Sequence, residues 1–448
     1  MHFNNYVNGN RISLQGFYGS CTNLQVSELI SFLQSNRFIT SVHLDDISIG
    51  CEGAKALADS DLKNLTELYL VYSRIGDEGA KALANGTLTN LTKLSLLDSN
   101  ISEEGVEALA KSENLKNLTV LNLGNRGVYG PACINPTKNN IGPKGAKALA
   151  DGSLTNLVKL NLSRNNISDE GIEALAKSGN VKNLTNLDLS DNNIGPEGAK
   201  ALADGSLTNL VELDLSENNI SDEGIEALAK SGNVKNLTNL DLSDNNIGPE
   251  GAKALADGSL TNLVELDLSE NNISDEGIEA LAKGESLKNL TSLHLNCNSI
   301  GNKGAKALAK SEKLKNLTDL NLDTNGIGSE GAKALASGSL TSLTKLCLFR
   351  NNIGYRSSLN HALVGGVVLS LSIVYLASGA VLNPVDAIIT FIPVAIISTV
   401  LCLLIGQFCQ EVSYKKQENY TVSTYSAVKS VLFGVSATQH PEPQLREL

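Results

Sequence analysis

Residues 157–180 read LVKLNLSRNNISDEGIEALAKSGN, and their two halves follow different periodicities. In "LVKLNLSRNNI" Leu157, Leu160, Leu162, Asn165 and Ile167 hold fixed places, and the middle alternates apolar with polar residues as a short half-buried strand does. In "SDEGIEALAK" the spacing becomes helical through Ile172, Leu175 and Ala176. Ser168 reads as the N-cap, Asp169 and Glu170 lie in the first turn where the helix dipole favours anions, and Lys177 with Gly179 marks the end. One strand and one short helix cannot bury these leucines alone, so such units must stack.

The chain supplies the units to stack. Residues 165–230 recur without a difference at 218–283, an offset of 53. The dipeptide Asn-Leu, counted at its leucine, returns at 65, 91, 118, 157, 184, 210, 237, 263, 290 and 317, in steps of 26 or 27 residues with one exception of 39. Degenerate copies at Ile39 and Leu343 bring the array to about twelve units over residues 39–355. The sister unit "GPEGAKALADG" (195–205) starts and stops with other chemistry: Pro196 suits a first helical position and Gly205 a C-terminal cap. Residues 1–38 include "VSELISFLQSN", amphipathic through Leu29, Ile30 and Leu33, and are expected to cap the first unit.

The pattern Leu-x-x-Leu-x-Leu-x-x-Asn-x-Ile followed by Gly-Ala-x-Ala-Leu-Ala resembles leucine-rich repeats of the ribonuclease-inhibitor and NOD-like-receptor kind, and still more the GALA-type repeats of bacterial effector proteins. The resemblance covers roughly residues 39–355. It implies an α/β leucine-rich-repeat solenoid, a horseshoe with a parallel sheet on the concave face and helices on the convex face. It also implies an asparagine ladder between turns, with Asn165, Asn192, Asn218, Asn245, Asn271, Asn298, Asn325 and Asn351 in that role. Ser73 and Ser99 stand in the ladder of early units, and a hydroxyl replaces only part of an amide. The N-terminal third is therefore expected to be the less stable end.

Strand alternation puts the residues between the buried leucines on the concave face. Candidate partner contacts read this way are Glu67, Tyr69, Val71, Leu97, Lys159, Asp188, Glu212, Asp214, Asp241, Glu265, Asp267, Asp319, Asp323 and Phe349. Asp188, Asp214, Asp241 and Asp267 would sit on adjacent strands about 4.8 Å apart, an arrangement of like charges that costs stability unless screened or paired. Two readings of the row stand. A basic partner offsets the repulsion, or duplication copied the aspartates without a ligand, since Asp241 and Asp267 repeat Asp188 and Asp214. Tyr69, Val71, Leu97 and Phe349 read as exposed apolar positions at the ends of the groove, where aromatic residues beside charge make binding anchors; Phe349 reads equally as packing on the segment that follows.

The 39-residue step contains an insertion, "GNRGVYGPACINPTK" (124–138), which presents Tyr129 and Cys133 together with Pro131 and Pro136. It is either a contact loop or a tolerated insertion. After residue 355 the composition changes. Residues 362–382 and 387–408 carry no charge, each is long enough to cross a bilayer, and only "NPVD" separates them. The expected arrangement is a transmembrane α-helical hairpin anchoring the protein in a lipid bilayer through residues 362–408, followed by a tail over 409–448. Arg350 and Arg356 before the first span and Lys415 and Lys416 after the second put both termini on the cytosolic side. The tail contains an amphipathic stretch, "TYSAVKSVLFGV" (424–435).

Formal net charge is -12, all of it in residues 1–355, so nucleic acid is not an expected partner. Seven dispersed cysteines without a Cys-x-x-Cys pair point to a reducing compartment rather than a disulfide scaffold or zinc site. The N-terminus lacks the pattern of a cleaved export signal. No phosphate loop, zinc-protease motif or nucleophile elbow occurs, so neither catalysis nor a cofactor is expected. The expected function is a membrane-anchored scaffold binding a protein, of basic character if the aspartate row is its site. The GALA-type resemblance implies an alternative, an effector of an intracellular bacterium placed in host membranes to recruit host proteins. That family's F-box, its link to ubiquitin ligases, is not recognisable in residues 1–38. Pore formation by the hairpin is a third class, disfavoured by spans without an ionisable pathway residue.

Overall fold

The computed structural model describes residues 2–14, 23–126 and 138–353. A short 3-10 turn at Phe3–Tyr6 leads into β1 (Val7–Asn8), which pairs antiparallel with β2 (Arg11–Ser13). After α1 (Asn23–Ser35) the chain alternates three-residue strands with helices of eight to ten residues. The strands are β3 (Ser41–His43), β4 (Glu67–Tyr69), β5 (Lys93–Ser95), β6 (Val120–Asn122), β7 (Lys159–Asn161), β8 (Asn186–Asp188), β9 (Glu212–Asp214), β10 (Asn239–Asp241), β11 (Glu265–Asp267), β12 (Ser292–His294), β13 (Asp319–Asn321) and β14 (Lys345–Cys347). The helices run from α2 (Gly50–Ala58) to α12 (Ser329–Ala336). All fourteen strands form one sheet in sequence order, parallel from β2 onward. Strand β2 pairs in register with β3, so residues 7–35 already contribute a strand and a helix to the stack.

Register holds because each strand offers one buried leucine. Leu187, Leu213, Leu240 and Leu266 pair in line and are at most 3 % exposed. The helical stripe, Ile172, Leu175 and Ala176 in one turn, is buried against them from the other side. The asparagine ladder closes the third side. Asn192 is fully buried; its Nδ2 donates to the Leu162 and Ser190 carbonyls, and its Oδ1 accepts from the N–H groups of Asn165 (3.0 Å) and Ile167 (3.1 Å). Asn139, directly after the insertion, is a further member: its Oδ1 accepts from Ser99 and Ile101. The insertion displaces it from the leucine frame of its unit, which hid it in the sequence. Ser73 and Ser99 instead donate their hydroxyls to the Leu44 and Leu70 carbonyls.

The helix starts correct the capping expectation. Ser168 is no N-cap: it is the first residue of α6 (Ser168–Lys177), its φ is +59 or so in the copies and +57 here, and its side chain caps nothing. At the sister helices caps pass between turns instead. Asp169 Oδ1 accepts from the N–H groups of Gly195 (2.7 Å) and Gly198 (2.9 Å), at the start of the next helix, α7 (Pro196–Asp204). Asp222 does the same for Gly248 and Gly251, and Asp275 for Gly301 and Gly304. A Cβ on Gly198 would lie 2.5 Å from Asp169 Oδ1, so a glycine is needed there. This contact explains the two-unit period. A Ser-Asp-Glu-Gly helix donates the carboxylate, and the Gly-Pro-Glu-Gly helix that receives it has proline where the carboxylate would otherwise stand.

Replacing Asp222 with alanine is expected to cost about 1–2 kcal/mol, the range for a lost N-terminal cap, while Asp222→Asn retains most of it. Urea titration of the three proteins checks this; equal stability of wild type and Asp222→Ala would count against inter-turn capping.

Among the described residues no helix is long and apolar enough to cross a membrane. The charge-free stretches 362–382 and 387–408, the tail 409–448, and Tyr129 and Cys133 lie outside the described residues.

Candidate interaction surface

The sheet face turned away from the helices carries three columns of side chains, set by the first and last residues of each strand and the residue two further on. In the last-residue column Asp188, Asp214, Asp241 and Asp267 are paired strand to strand in that order, each partly buried. They are not bare. The Ser190 amide (3.1 Å) and hydroxyl (2.8 Å) donate to Asp188 Oδ1, and Ser216 and Ser243 serve Asp214 and Asp241 in the same way. Asp267 receives the Ser269 amide and a hydrogen bond from His294 Nδ1 at 3.1 Å. Burial is the main cause that raises the carboxyl pKa of Asp188, Asp214 and Asp241, with repulsion from the neighbouring aspartate added. Burial acts on Asp267 too, but His294 and Ser269 outweigh it and hold it below the ordinary value. The expected cost of like charges in a row is thus present in three members and relieved at the fourth.

The first-residue column adds Glu212 and Glu265, both exposed and accepting from Asn186 and Asn239 on the preceding strands. Lys159 is exposed one strand before the row begins. Asp319 pairs with Lys345 at 2.8 Å, and Asp323 accepts the Phe349 amide.

A fourth set of carboxylates was missed by strand alternation. Asp191, Glu217, Asp244 and Glu270 occupy the turn after each strand at φ between +51 and +53, and all four are exposed along the rim of the same face. Their signal was a recurring acid two residues past the second strand leucine. Arg164 stands at the equivalent place one turn earlier, its Nη2 donating to both carboxylate oxygens of Glu217 at 2.8 and 2.9 Å and its Nη1 3.6 Å from Asp191. Between β8 and β11 the surface is therefore an acidic band, with Arg164 at one margin and His294 at the other.

The apolar candidates divide. Val71 is buried, 7 % exposed, and is withdrawn as a contact. The strands are only three residues long, so the third outward position already belongs to the turn that bends toward the ladder; Ser163, Ser216 and Ser269 are buried there for the same reason. Leu97 is half-buried rather than exposed. Tyr69 is half-buried and stacked on His43, ring centroids 3.9 Å apart, while Glu67 takes the Ser41 hydroxyl and pairs with Lys93 at 2.8 Å. Hydrogen bonding to Lys93 holds the Glu67 carboxyl low, and burial pushes the Tyr69 phenol up. Phe349 is 66 % exposed with the Arg350 guanidinium 5.4 Å from its ring centre. Phe38, not singled out in the sequence, is 59 % exposed in the turn before β3.

The neck of the insertion is closed at the same face. Asn139 N donates to Asn125 Oδ1 at 2.6 Å, Asn125 Nδ2 returns a bond to the Asn139 carbonyl, and Arg126 reaches Asp46 at 3.4 Å. Among the described residues no group of three or more His, Cys, Asp or Glu is placed to hold a metal ion.

His294 also gives the face a pH dependence. Its hydrogen bond to Asp267 raises its pKa above the ordinary 6.5. The folded state then favours the protonated ring, so the stabilisation is fully present below about pH 6.5 and is lost as pH rises through the higher folded-state value. Melting temperatures measured from about pH 5.5 to 8.5 are expected to decline more steeply in wild type than in His294→Gln; parallel curves would contradict the pairing.

Stacked turns of strand and helix, laced by buried asparagines and presenting a continuous sheet face, define a repeat solenoid of the interaction-scaffold class. The chain belongs to the leucine-rich repeat family. That family's model, described as Leucine Rich repeat, matches residues 61–84, 87–110, 137–150, 153–176, 182–203, 206–229, 235–256, 259–282, 286–309 and 313–336. These repeats imply a protein-interaction scaffold, and no catalytic family is indicated. No curated protein matches the chain. Similar solved structures include an internalin from Listeria monocytogenes, 24% identical over 74% of this chain and 90% of that one with a TM-score of 0.47. Another is a leucine-rich repeat protein from Leptospira interrogans, 23% identical over 74% and 72%, with a TM-score of 0.43. Neither likeness constrains curvature or ligand.

Proposed function

We propose that the protein is a membrane-anchored scaffold that holds a basic protein partner against the acidic band of its concave face. The observation that carries this is the alignment of Asp188, Asp214, Asp241 and Asp267 beside the exposed Asp191, Glu217, Asp244 and Glu270 over four adjacent strands. Partly buried carboxylates that the fold itself penalises gain most from an incoming cation, which restores the solvation they lack. Lys159, Tyr69 and Phe349 flank the band and would set the register of the partner. The anchor is the charge-free pair 362–382 and 387–408, which places the repeats and the tail on the cytosolic side with the "NPVD" turn across the bilayer.

The protein in detergent micelles, immobilised and exposed to cell extract, is expected to retain proteins with basic surfaces at about 50 mM salt and to release them by about 500 mM, as screening shortens the reach of exposed charges. Retention unaffected by salt would refute an electrostatic site. Protease accessibility in sealed vesicles tests the anchor separately: repeats and tail cut from one side support it, and cleavage from opposite sides refutes it.

A second reading has one observation in its favour, the GALA-type motif joined to an apolar hairpin. In it the protein is an effector of an intracellular bacterium that inserts in host membranes and recruits host proteins there. Localisation to a host membrane during infection supports it, and retention in the bacterial envelope refutes it.

A further inference from the structure

The two long edges of the solenoid carry opposite charge. Every unit runs strand, turn, helix, turn in the same sense, so all helix-to-strand turns lie along one edge of the stack and all strand-to-helix turns along the other. From the end of α6 to the start of β13 the helix-to-strand turns hold seven lysines against two glutamates, with no arginine and no aromatic residue. One of those glutamates, Glu285, is paired with Lys313. The strand-to-helix turns after β8, β9, β10 and β11 hold the rim acids Asp191, Glu217, Asp244 and Glu270 and no base. Within the basic edge one place recurs: Lys182, Lys235, Lys288 and Lys315 stand four residues before β8, β10, β12 and β13. All four are exposed, and none makes an ion pair among the described residues. Their backbone is pinned by a second asparagine ladder: Nδ2 of Asn209, Asn262 and Asn316 donates to the carbonyls of Lys182 (2.9 Å), Lys235 (2.9 Å) and Lys288 (2.8 Å). The first three lysines are thus fixed at two-strand intervals of about 10 Å, and Lys315 follows one strand, about 4.8 Å, further on.

We infer that this edge of the solenoid rests against an anionic phospholipid surface, with Lys182, Lys235, Lys288 and Lys315 as its contacts. Helix capping does not account for the four. The carbonyls at the helix ends are taken by other side chains, Asn180 Nδ2 donating to the Ala150 carbonyl and Asn233 Nδ2 to the Ala203 carbonyl, both at 3.0 Å. The dipole's influence fades within the last turn, whereas Lys182 lies well beyond Lys177, where α6 ends. Lys177 and Lys230, which do end their helices, pair with Glu173 and Glu226 and are balanced by Asp204 and Asp257 at the same place in the sister helices. Lysine is a compact point charge, and a row with neither arginine nor aromatic side chains lacks the anchors of a protein interface and the stacking platforms of a nucleic-acid groove. A plane of anionic headgroups asks only for positive charge along a line, and its attraction adds with each lysine brought near. The acidic rim, on the opposite edge, then points away from the surface that would repel it. The contact needs no more than an anionic surface; that this surface is the bilayer holding 362–408 is the one clause that rests on the anchor proposed above.

The test reconstitutes the protein into lipid nanodiscs of phosphatidylcholine, with or without about 30 % phosphatidylserine, and reads brief acylation of each lysine by mass spectrometry. At about 50 mM salt the anionic discs are expected to slow acylation of Lys182, Lys235, Lys288 and Lys315 at least about threefold, and about 500 mM salt removes the protection. Lys147 and Lys200, exposed on the helices, keep their rates. Lys283, exposed on the same edge, is slowed with the four, and returns to its neutral-disc rate in the variant carrying Lys182→Gln, Lys235→Gln, Lys288→Gln and Lys315→Gln. Equal rates in the two kinds of disc, protection shared by Lys147 and Lys200, or protection of Lys283 that the variant retains would overturn the inference and leave the anchor standing. Protection given by duplex DNA added to neutral discs but not by phosphatidylserine would overturn it in favour of nucleic acid. Protein that fails to co-purify with neutral discs while anionic discs protect its four lysines supports the edge and refutes the anchor.

Discussion

Asn192→Leu is expected to destabilise the repeat array by about 4 kcal/mol. The leucine fills the space but leaves the N–H groups of Asn165 and Ile167 without an acceptor, and the Leu162 and Ser190 carbonyls without a donor, all beside a fully buried side chain. Each stranded buried group costs about 1–3 kcal/mol, partly relieved where the turn shifts to admit water. Because the core of each turn packs on that of its neighbours, the damage also divides the array. Urea unfolding should broaden or split into two transitions, with exchange protection lost first between β7 and β8. Asn351→Leu, at the end where neighbours are few, should cost less than half as much. A single unshifted transition for Asn192→Leu would show that the ladder is incidental to stability.

Much of this stack was legible in the sequence because its cause is local. A leucine frame repeating every 26 or 27 residues sets strand, ladder and helix at once, and the strands, their register and the ladder asparagines from Asn165 to Asn351 follow it. What escaped depended on contacts between turns. Asp169 looked like a residue serving its own helix, whereas its carboxylate caps the next one, a relation set by the stacking distance. Val71 failed because alternation was carried two residues beyond a three-residue strand. The rim acids Asp191, Glu217, Asp244 and Glu270 were overlooked because left-handed turn residues do not belong to the alternation of a strand.

The acidic band is the feature on which the proposed function rests, and it can be tested without disturbing the fold. In Asp188, Asp214 and Asp241 burial disfavours the charged form, so neutral asparagine at each is expected to leave stability unchanged or higher at pH 7. The amide oxygen can still accept from Ser190, Ser216 and Ser243. Asp267→Asn forgoes the ion pair with His294 and offsets part of that gain. Loss of binding in the fourfold variant is then attributable to charge at the surface rather than to unfolding. Four pairs at about 0.7 kcal/mol each, within the range for partly exposed ion pairs, correspond to roughly 100-fold in affinity at low salt.

The decisive measurement is the affinity of a captured basic partner for the wild type and for the variant carrying Asp188→Asn, Asp214→Asn, Asp241→Asn and Asp267→Asn, at about 50 mM salt with the melting temperature of each recorded. The acidic concave face as the partner site predicts a loss on the order of 100-fold with the melting temperature held or raised. Equal affinity for the two proteins would contradict it and leave the aspartate row as a copy left by duplication.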